Sequence, residues 1–471
     1  MGSERKVNQV YREYRALMKK LRLNYNEYVQ LKRAFMGGFT HASPFKVGKV
    51  IENVHSYDFT SSYPYVMLSE RFPMSKPIHI TIKSFEEFEE YLKYYACVFD
   101  INIKGLSSKF PYEHYISYSK ARGVKNPIIS NGRIVSADEL TITITEQDYM
   151  IIKNVYSFKE INIYNFMYMK KEYLPKNFWL SILHFYKTKT ELKGVAGKEV
   201  EYMVSKENAN SCYGMTATDI VRASIEYEDN QWKTEDIDDG TELINKYNKS
   251  KKRFLFYPWG VWVTAYARRN LWSGIFNFGN DYIYSDTDSL KVVNKDKHQN
   301  YIDYYNNLTK TKLTLACNYH KVDTDLVLGI KNNLGELKPI GVWDLETSKD
   351  IYTKFKTLGA KRYIYVQSNR LHITIAGLSK ANGEKYLIDN YGIDGAFDMF
   401  TNELSIPAEY TGKLTHTYID EERKGVVKDY NGVEYEYDEL SALHLEPAPF
   451  ELGLAQEFLD FIMGVQENES L

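Results

Sequence analysis

An acidic pair interrupts an apolar strand in the segment 282–293, whose sequence is YIYSDTDSLKVV. Side chains alternate between the two faces of an extended chain, so Asp286 and Asp288 are expected to point to the same side. Two like charges at this spacing repel and raise each other's pKa, an arrangement of use mainly where a divalent cation lies between them. The alternative is a hairpin in which both aspartates only supply turn chemistry. The segment taken alone is consistent with both interpretations.

A chain of 471 residues is too long for a single compact core, so roughly two to four structural units are expected. Its 44% hydrophobic and 26% charged residues are typical of a water-soluble globular protein. The net charge of −2 hides an uneven distribution: residues 1–50 hold eleven Lys or Arg and three acidic residues, whereas 446–471 hold six acidic residues and no Lys or Arg. A neutral total does not exclude nucleic-acid binding, because such proteins concentrate their basic residues in a channel.

Three widely spaced cysteines, Cys97, Cys212 and Cys317, argue against a disulfide framework or a zinc site and for a reducing compartment. No apolar run reaches the roughly 20 residues of a membrane span, and the charged N-terminus lacks the apolar core of a signal peptide. We therefore expect a cytoplasmic protein with no membrane partner, located in the host cytoplasm if the chain is viral.

Apolar periodicity predicts the main elements. One or two basic helices are expected over 7–35, followed by Gly37 and Gly38, which fit either a helix stop or a close backbone approach to a ligand. A strand beginning at Val54 is predicted to break into a turn at Pro64. The remaining predictions are, in order, an inserted α+β unit over 70–176, helices over 177–213 with a break at 194–197, a hairpin or flap over 218–256, a long helix over 261–278, and helix with one strand pair near 418–437 in the final part, 381–471.

A third carboxylate, Asp58, also lies at a strand end beside a turn, although 228 residues separate it from Asp286. If the two strands are neighbours in one sheet, Asp58, Asp286 and Asp288 form an oxygen cage suited to two Mg²⁺ ions. Two metal ions about 3.5–4 Å apart can activate a hydroxyl and stabilise a leaving pyrophosphate in one in-line displacement. Such a site also needs cations for a triphosphate. The helical stretch 187–206 supplies Lys187, Lys189, Lys193, Lys198 and Lys206.

Lys206, Asn210 and Tyr213 follow at steps of four and three residues, so they share one face of a helix. A cation, an amide and an aromatic ring on one face suit a phosphate and a base pair. The same segment also fits a plain helix that ends at Gly214 and carries a solvated lysine.

Three motifs together resemble the A, B and C motifs of family B DNA polymerases. They are DFTSSYP at 58–64, KENANSCYG at 206–214 and YSDTDS at 284–289, in that family's order and spacing. Three further motifs resemble the protein-primed phage and linear-plasmid branch: FMGG at 35–38, TAYAR at 264–268 and KRY at 361–363. The segments 70–176 and 218–256 have the lengths of that branch's two terminal-protein-region insertions.

The resemblance implies an α+β right-hand polymerase with palm, fingers and thumb. Its segments would be the N-terminal basic helices with the first palm segment (1–69), the first insertion (70–176), the fingers (177–217), the second insertion (218–256), the second palm segment (257–380), and the thumb with the C-terminal tail (381–471). The implied activity is template-directed transfer of dNMP from a dNTP to a primer 3′-hydroxyl, or to a terminal-protein hydroxyl during priming, with two Mg²⁺ ions that Mn²⁺ can replace. The alternatives are a DNA-primed family B polymerase, a primase-polymerase, and an inactive DNA-binding replisome scaffold.

The resemblance also implies roles for individual residues. Asp58 and Asp288 would ligate the metals together with the backbone carbonyl of Phe59, and Asp286 would assist. Tyr63 would stack beneath the sugar and exclude a 2′-hydroxyl.

Nucleotide and DNA contacts are implied in the same way. Lys206 would bind the triphosphate with one upstream lysine. Lys189 fits best, ahead of Lys187 and Lys193, because the break at 194–197 alters the family spacing. Asn210 and Tyr213 would line the nascent base pair. DNA contacts are expected from Gly37, Gly38, Ser61, Thr264, Arg268, Lys361 and Tyr363.

The family's N-terminal exonuclease has no expected counterpart, since the 57 residues before Asp58 lack its three acidic motifs. A separate exonuclease subunit, a shortened chain and an enzyme without proofreading are the three explanations. The basic arm, residues 1–34, would then dock such a subunit, contact DNA or face solvent.

Overall fold

The structure is a computed structural model that describes residues 4–228, 231–235, 237, 239–411, 414–421, 425–437 and 440–469. The chain forms two compact units, one comprising residues 1–44 and 55–348 and the other residues 45–54 and 349–471. In the described part of the chain, no helix is both long and apolar enough to span a membrane.

The helices follow in chain order. They are α1 (Glu4–Lys20), α2 (Tyr25–Ala34), α3 (Ser62–Ser69), α4 (Phe85–Tyr94), α5 (Glu146–Val155), α6 (Lys176–Leu192), α7 (Glu199–Gly214), α8 (Thr241–Lys249), α9 (Tyr257–Phe278), α10 (Gln299–His320), α11 (Asp325–Leu328), α12 (Lys380–Met399), α13 (Ala408–Thr411) and α14 (Gln456–Glu469).

The strands are β1 (Thr40–Ala42), β2 (Ile51–Phe59), β3 (Phe72–Pro73), β4 (Ile78–Ile80), β5 (Tyr95–Ser108), β6 (Arg122–Lys125), β7 (Ile128–Ser130), β8 (Arg133–Thr145), β9 (Tyr156–Ser157), β10 (Glu160–Glu172), β11 (Ser224–Glu228), β12 (Gln231–Glu235), β13 (Tyr282–Asp286), β14 (Ser289–Val292), β15 (Trp343–Leu345), β16 (Tyr352–Gly359), β17 (Arg362–Gln367), β18 (Arg370–Ile375), β19 (Ser405–Ile406), β20 (Leu414–Glu421), β21 (Gly425–Lys428), β22 (Glu434–Tyr437), β23 (Leu440–Pro447) and β24 (Phe450–Glu451).

The acidic motifs of the first unit meet in one antiparallel sheet, which runs β1, β13, β14 and then the last residues of β2, with β15 also paired to β2. Ser289 of β14 lies opposite Asp286 on one side and Asp58 on the other. Thr40 of β1 lies opposite Asp286. The condition set by the sequence, that the strands of Asp58 and of the acidic pair are neighbours, is therefore met.

Helix α9 fills the centre of the first unit. Most of its residues are buried, as expected of a helix surrounded by protein. Trp259, Trp262 and Trp272 along it are fully buried. Its residues belong to both hydrophobic cores of the unit, so it joins the two cores. It begins at Tyr257, four residues before the predicted start, because Pro258 is compatible with the first turn of a helix.

The predicted insertion over 70–176 forms a second sheet, in the order β3, β10, β5, β8, β6, with β4, β7 and β9 at its margins. Helix α5 begins with a capping box in which Thr145 and Asp148 bond to each other's backbone N–H groups. The predicted α+β character of this segment is confirmed.

In the second unit, the start of β2 pairs with β16, and β17 and β18 follow. A small core that includes Ile364, Leu387 and Phe397 lies between this sheet and α12. Helix α12 is kinked at Gly392, whose φ of 65° is one that glycine adopts readily.

Two local predictions are wrong. The segment after Asp58 does not stop at a turn: α3 begins at Ser62, and Pro64 lies in its first turn, where a proline costs no helical hydrogen bond. The final part of the chain contains more than one strand pair, since β20 pairs with β23 and β21 with β22. Local periodicity there does not show which short strands pair.

Candidate active site

The acidic pair forms the tip of the β13–β14 hairpin. Thr287 has a positive φ of 59°, and the Asp288 N–H donates to the Asp286 carbonyl at 2.6 Å. The Phe59 N–H donates to the Asp288 carbonyl at 2.8 Å, which ties the tip to the end of β2. The segment is therefore a turn that lies beside Asp58, and a divalent cation between its carboxylates stays a prediction.

Burial raises the pKa of two of these carboxyl groups. The pKa of Asp58 rises to about 8, chiefly through burial and then through the charge of Asp288. That of Asp288 rises to about 6, through burial and then through the charge of Asp286. The raised values mean that burial and the neighbouring carboxylates disfavour the ionised forms of Asp58 and Asp288.

A buried lysine, Lys291, lies on the same sheet and was not predicted. It is 5% exposed, its Nζ donates to Ser56 Oγ at 2.6 Å, and Glu346 Oε2 is 3.9 Å away. Its charge lowers the pKa of Asp58 and Asp288, but less than burial raises them. Strand alternation could have revealed it, because Ser289 and Lys291 share one face of β14.

A fourth carboxylate near the site, Asp344, was also not predicted from the sequence. It lies opposite Asp58 across the β15–β2 pair, and its charge adds to the rise in the pKa of Asp58. It lies between the YSDTDS motif at 284–289 and the KRY motif at 361–363, and no local signal marks it.

The chemistry of this donor set fits a hard divalent cation. Carboxylate oxygens are the ligands that Mg²⁺ and Mn²⁺ prefer, and neighbouring carboxylates add to the effect of burial in raising the pKa of Asp58 and Asp288. Among the described residues, no three His, Cys, Asp or Glu side chains are gathered into a metal-ligand set. The sheet register thus places Asp58, Asp286 and Asp288 close together, but their side chains do not converge on one point as metal ligands would.

Lys189 is the upstream lysine that reaches this site. Its Nζ donates to Ser61 Oγ at 2.6 Å, just before α3, where Ser61 has a φ of 58°. The pKa of Lys189 is lowered by burial and then by the charges of Lys193 and Lys206. Two other lysines of this stretch have acidic partners: Lys187 pairs with Glu191 at 3.7 Å, and Lys198 pairs with Glu201 at 2.7 Å.

Helix α7 carries the other predicted nucleotide contacts. Lys206 and Asn210 are exposed, and Tyr213 is half-buried. The rings of Tyr63 and Tyr213 have centroids 4.5 Å apart. Burial is the main cause of the raised pKa of Tyr63, so its hydroxyl stays protonated. The two tyrosines form one aromatic surface between α3 and α7.

Two predicted DNA contacts on α9 are buried in the protein. Thr264 is fully buried and donates to the Val261 carbonyl at 3.2 Å. Arg268 is 3% exposed; it pairs with Asp148 at 2.7 Å and donates to the Gly37 carbonyl at 2.9 Å. A DNA contact for either residue stays a prediction.

The last predicted DNA contacts lie in the second unit. Lys361 occupies the turn before β17 with a φ of 55°, and the ring of Tyr363 stacks on Phe355 with centroids 5.5 Å apart. Their role also stays a prediction.

The sequence and the fold both match known polymerases. Residues 8–307 match the model of the family DNA polymerase type B, organellar and viral, which is well over half of the chain, so the chain belongs to that family. The DNA polymerases of Bacillus phages Nf and B103 are each 25% identical to it over 273 residues, which is 56% of this chain. The chain spans 42% of the length of these curated relatives.

The structural likeness covers more of the chain. Phi29 DNA polymerase complexed with primer-template DNA matches 92% of this chain and 64% of its own, with a TM-score of 0.58 and 16% identity. The same polymerase complexed with primer-template DNA and incoming nucleotide gives a TM-score of 0.57, also at 16% identity, over 92% of this chain and 66% of its own. The predicted right-hand polymerase fold is therefore confirmed.

Proposed function

We propose that the protein is a template-directed DNA polymerase that transfers dNMP from a dNTP to a primer 3′-hydroxyl. The observation that carries this proposal is the sheet register, which places Asp58 beside the Asp286–Asp288 turn while Lys189 reaches Ser61 next to it. A hard-oxygen cluster next to a lysine is what a metal-bound triphosphate requires.

The acidic residues and the lysines of the site would have different roles. Asp58 and Asp288, with the Phe59 carbonyl, would hold Mg²⁺ ions, and Asp286 would support them. The metal ions, when bound, lower the pKa of the attacking hydroxyl and neutralise charge on the leaving pyrophosphate. Lys189, with Lys206 on α7, would bind the phosphates of the nucleotide and hold it for in-line attack.

The aromatic surface of Tyr63 and Tyr213 would contact the nucleotide. Asn210 lies one turn before Tyr213 on α7, so the two side chains would line the nascent base pair. Tyr63 would select deoxyribose by filling the space that a 2′-hydroxyl needs. Protein priming, with a terminal-protein hydroxyl as the first acceptor, is supported by family membership and by the likeness to phage polymerases.

Primer extension tests this function. The purified chain is given a primed template, Mg²⁺ and either dNTPs or rNTPs. We expect template-directed extension with dNTPs, and we expect Tyr63→Val to gain ribonucleotide incorporation while Tyr63→Phe does not. Absence of any extension with Mg²⁺ or Mn²⁺ by a folded, DNA-binding protein would contradict the proposal.

A further inference from the structure

The segment Met36–Thr40 contacts the acidic turn through both backbone and side chain. Thr40 Oγ1 donates to Asp286 Oδ1 at 2.8 Å, and the Thr287 N–H donates to the Phe39 carbonyl at 2.7 Å. Thr287 Oγ1 also donates to Asp286 Oδ1, at 3.0 Å. Two hydroxyl donors on one oxygen set the orientation of the Asp286 carboxylate before any cation binds.

Gly38 packs directly under the same turn. A Cβ added to Gly38 would lie 2.7 Å from Thr287 Oγ1 and 2.8 Å from Thr287 Cγ2, closer than van der Waals contact allows. Thr287 cannot easily move away, because it is β-branched and has a positive φ. A Cβ added to the neighbouring Gly37 would have no atom within 4 Å. The two glycines are therefore not equivalent.

The other end of the segment is held by Arg268. Its guanidinium donates to the carbonyls of Met36 and Gly37 and pairs with the buried Asp148 at 2.7 Å. A guanidinium is planar and presents its donors in a fixed geometry, so it sets the position of both carbonyls. Phe39 anchors the middle of the segment in the core, with its ring centroid 5.2 Å from that of Trp272.

We propose that Gly38 and Thr40 are positioning residues that set the geometry of the Asp286–Asp288 turn for divalent-cation binding. The proposal rests on the proposed function in one respect, that the carboxylates of this turn take the metal. Mg²⁺ demands near-ideal octahedral geometry, and ligand positions matter at the level of about 0.2 Å. A segment that holds one carboxylate by a hydrogen bond and the turn by close packing can supply that accuracy.

Thr40 provides the first test. Mn²⁺ binding to the DNA-free protein is measured by the electron paramagnetic resonance signal of free Mn²⁺, with no nucleotide present. Thr40→Val keeps the shape but removes the donor, and we expect it to weaken Mn²⁺ binding about tenfold, whereas Thr40→Ser keeps the donor and stays within about twofold of the parent. Equal Mn²⁺ affinity in all three proteins would overturn the role of Thr40.

The two glycines provide the second test, with Gly37→Ala as the matched control for Gly38→Ala. We expect only Gly38→Ala to weaken Mn²⁺ binding, and we expect Thr287→Ala to relieve part of that loss in the double variant, because it removes the two closest atoms. Melting temperatures check that each variant is folded. A loss of Mn²⁺ affinity that is equal for the two glycine variants, or absent in both, would overturn the role of Gly38.

These tests separate the inference from the proposed function. Primer extension by the parent protein together with unchanged Mn²⁺ affinity in every variant would overturn the positioning role alone. If the variants show the expected Mn²⁺ affinities but the parent protein does not extend primers, the positioning role is supported and only the polymerase activity is contradicted.

Discussion

Two groups of charged residues in the first unit differ in how their charges are compensated. Around the acidic turn, Asp286–Asp288, burial raises the pKa of Asp288 and of the neighbouring Asp58. In the described part of the chain neither of these two carboxylates forms an ion pair. On α9, Arg268 pairs with Asp148 at 2.7 Å and Arg269 pairs with Glu70 at 2.6 Å.

The pKa values show the consequence of this difference. Burial by itself raises the pKa of Glu70, but the charges of Arg269 and Lys312 lower it below its usual value. Burial by itself lowers the pKa of Arg268, but Asp148 raises it above its usual value. Removing one partner of a buried ion pair is costly, whereas we expect the carboxylates without an ion-pair partner to favour binding of a cation.

The largest expected effect is on the uncompensated group. Asp288→Asn keeps the size of the side chain but removes the ligand charge, and we expect single-turnover nucleotide incorporation to fall on the order of a thousandfold, because metal stabilisation contributes several kcal/mol. Binding of primed DNA, followed by fluorescence anisotropy, should change little. Incorporation at the parent rate would show that the acidic turn is only a turn.

A change in the paired group, Arg268 with Asp148, is expected to lower the stability of the folded state. Asp148→Ala leaves the Arg268 guanidinium buried without its partner, and we expect a loss of about 3–5 kcal/mol in urea unfolding of the first unit. The control is Glu160→Ala, which breaks the exposed 3.1 Å pair with Lys104 in the same segment, 70–176, and should cost about 1 kcal/mol or less. Similar losses in both variants would remove the distinction between the two groups.

A smaller effect, on the KM for dNTP, is expected from removing the charge of Lys189 beside the acidic site. Lys189→Met should raise the KM for dNTP roughly tenfold, since it removes a charged hydrogen-bond donor for phosphate. Lys187→Met is the matched control, two residues away on α6 and paired with Glu191, and its KM should stay close to that of the parent. Steady-state extension at varied dNTP concentration makes the comparison. A larger rise in KM in the Lys187 variant would show that Lys187, and not Lys189, binds the nucleotide phosphates.

The smallest expected effect is the pH dependence of the metal-free protein. The folded-state pKa of Asp58, about 8, exceeds the roughly 3.9 of an unfolded aspartate, so the folded state binds more protons between these values and loses stability as the pH rises. We expect the melting temperature in a chelator to fall by several degrees between pH 5 and pH 8.5. Asp58→Asn should reduce this slope. Glu70 acts in the opposite sense, because its lowered pKa makes its contribution disappear as the pH falls.

Some sequence predictions succeeded because they depend on neighbours along the chain. The steps between Lys206, Asn210 and Tyr213 and the run of helix at 176–192 are local, and the structure contains both helices. The Nζ of Lys189 donates to Ser61, and its role in binding the triphosphate stays a prediction. The position of α3 was missed, since proline is compatible both with a turn and with the first turn of a helix.

The sequence by itself determined the three acidic and lysine-bearing motifs, their order and the fold that they imply, because motif spacing is a property of the linear chain. Only the tertiary structure decided which charges have partners. Nothing near Arg268 in the sequence points to Asp148, 120 residues away, and nothing near Asp286 points to Thr40, 246 residues away. Such pairings depend on sheet register and helix packing, which bring distant residues together and settle which buried charges have a partner of opposite sign.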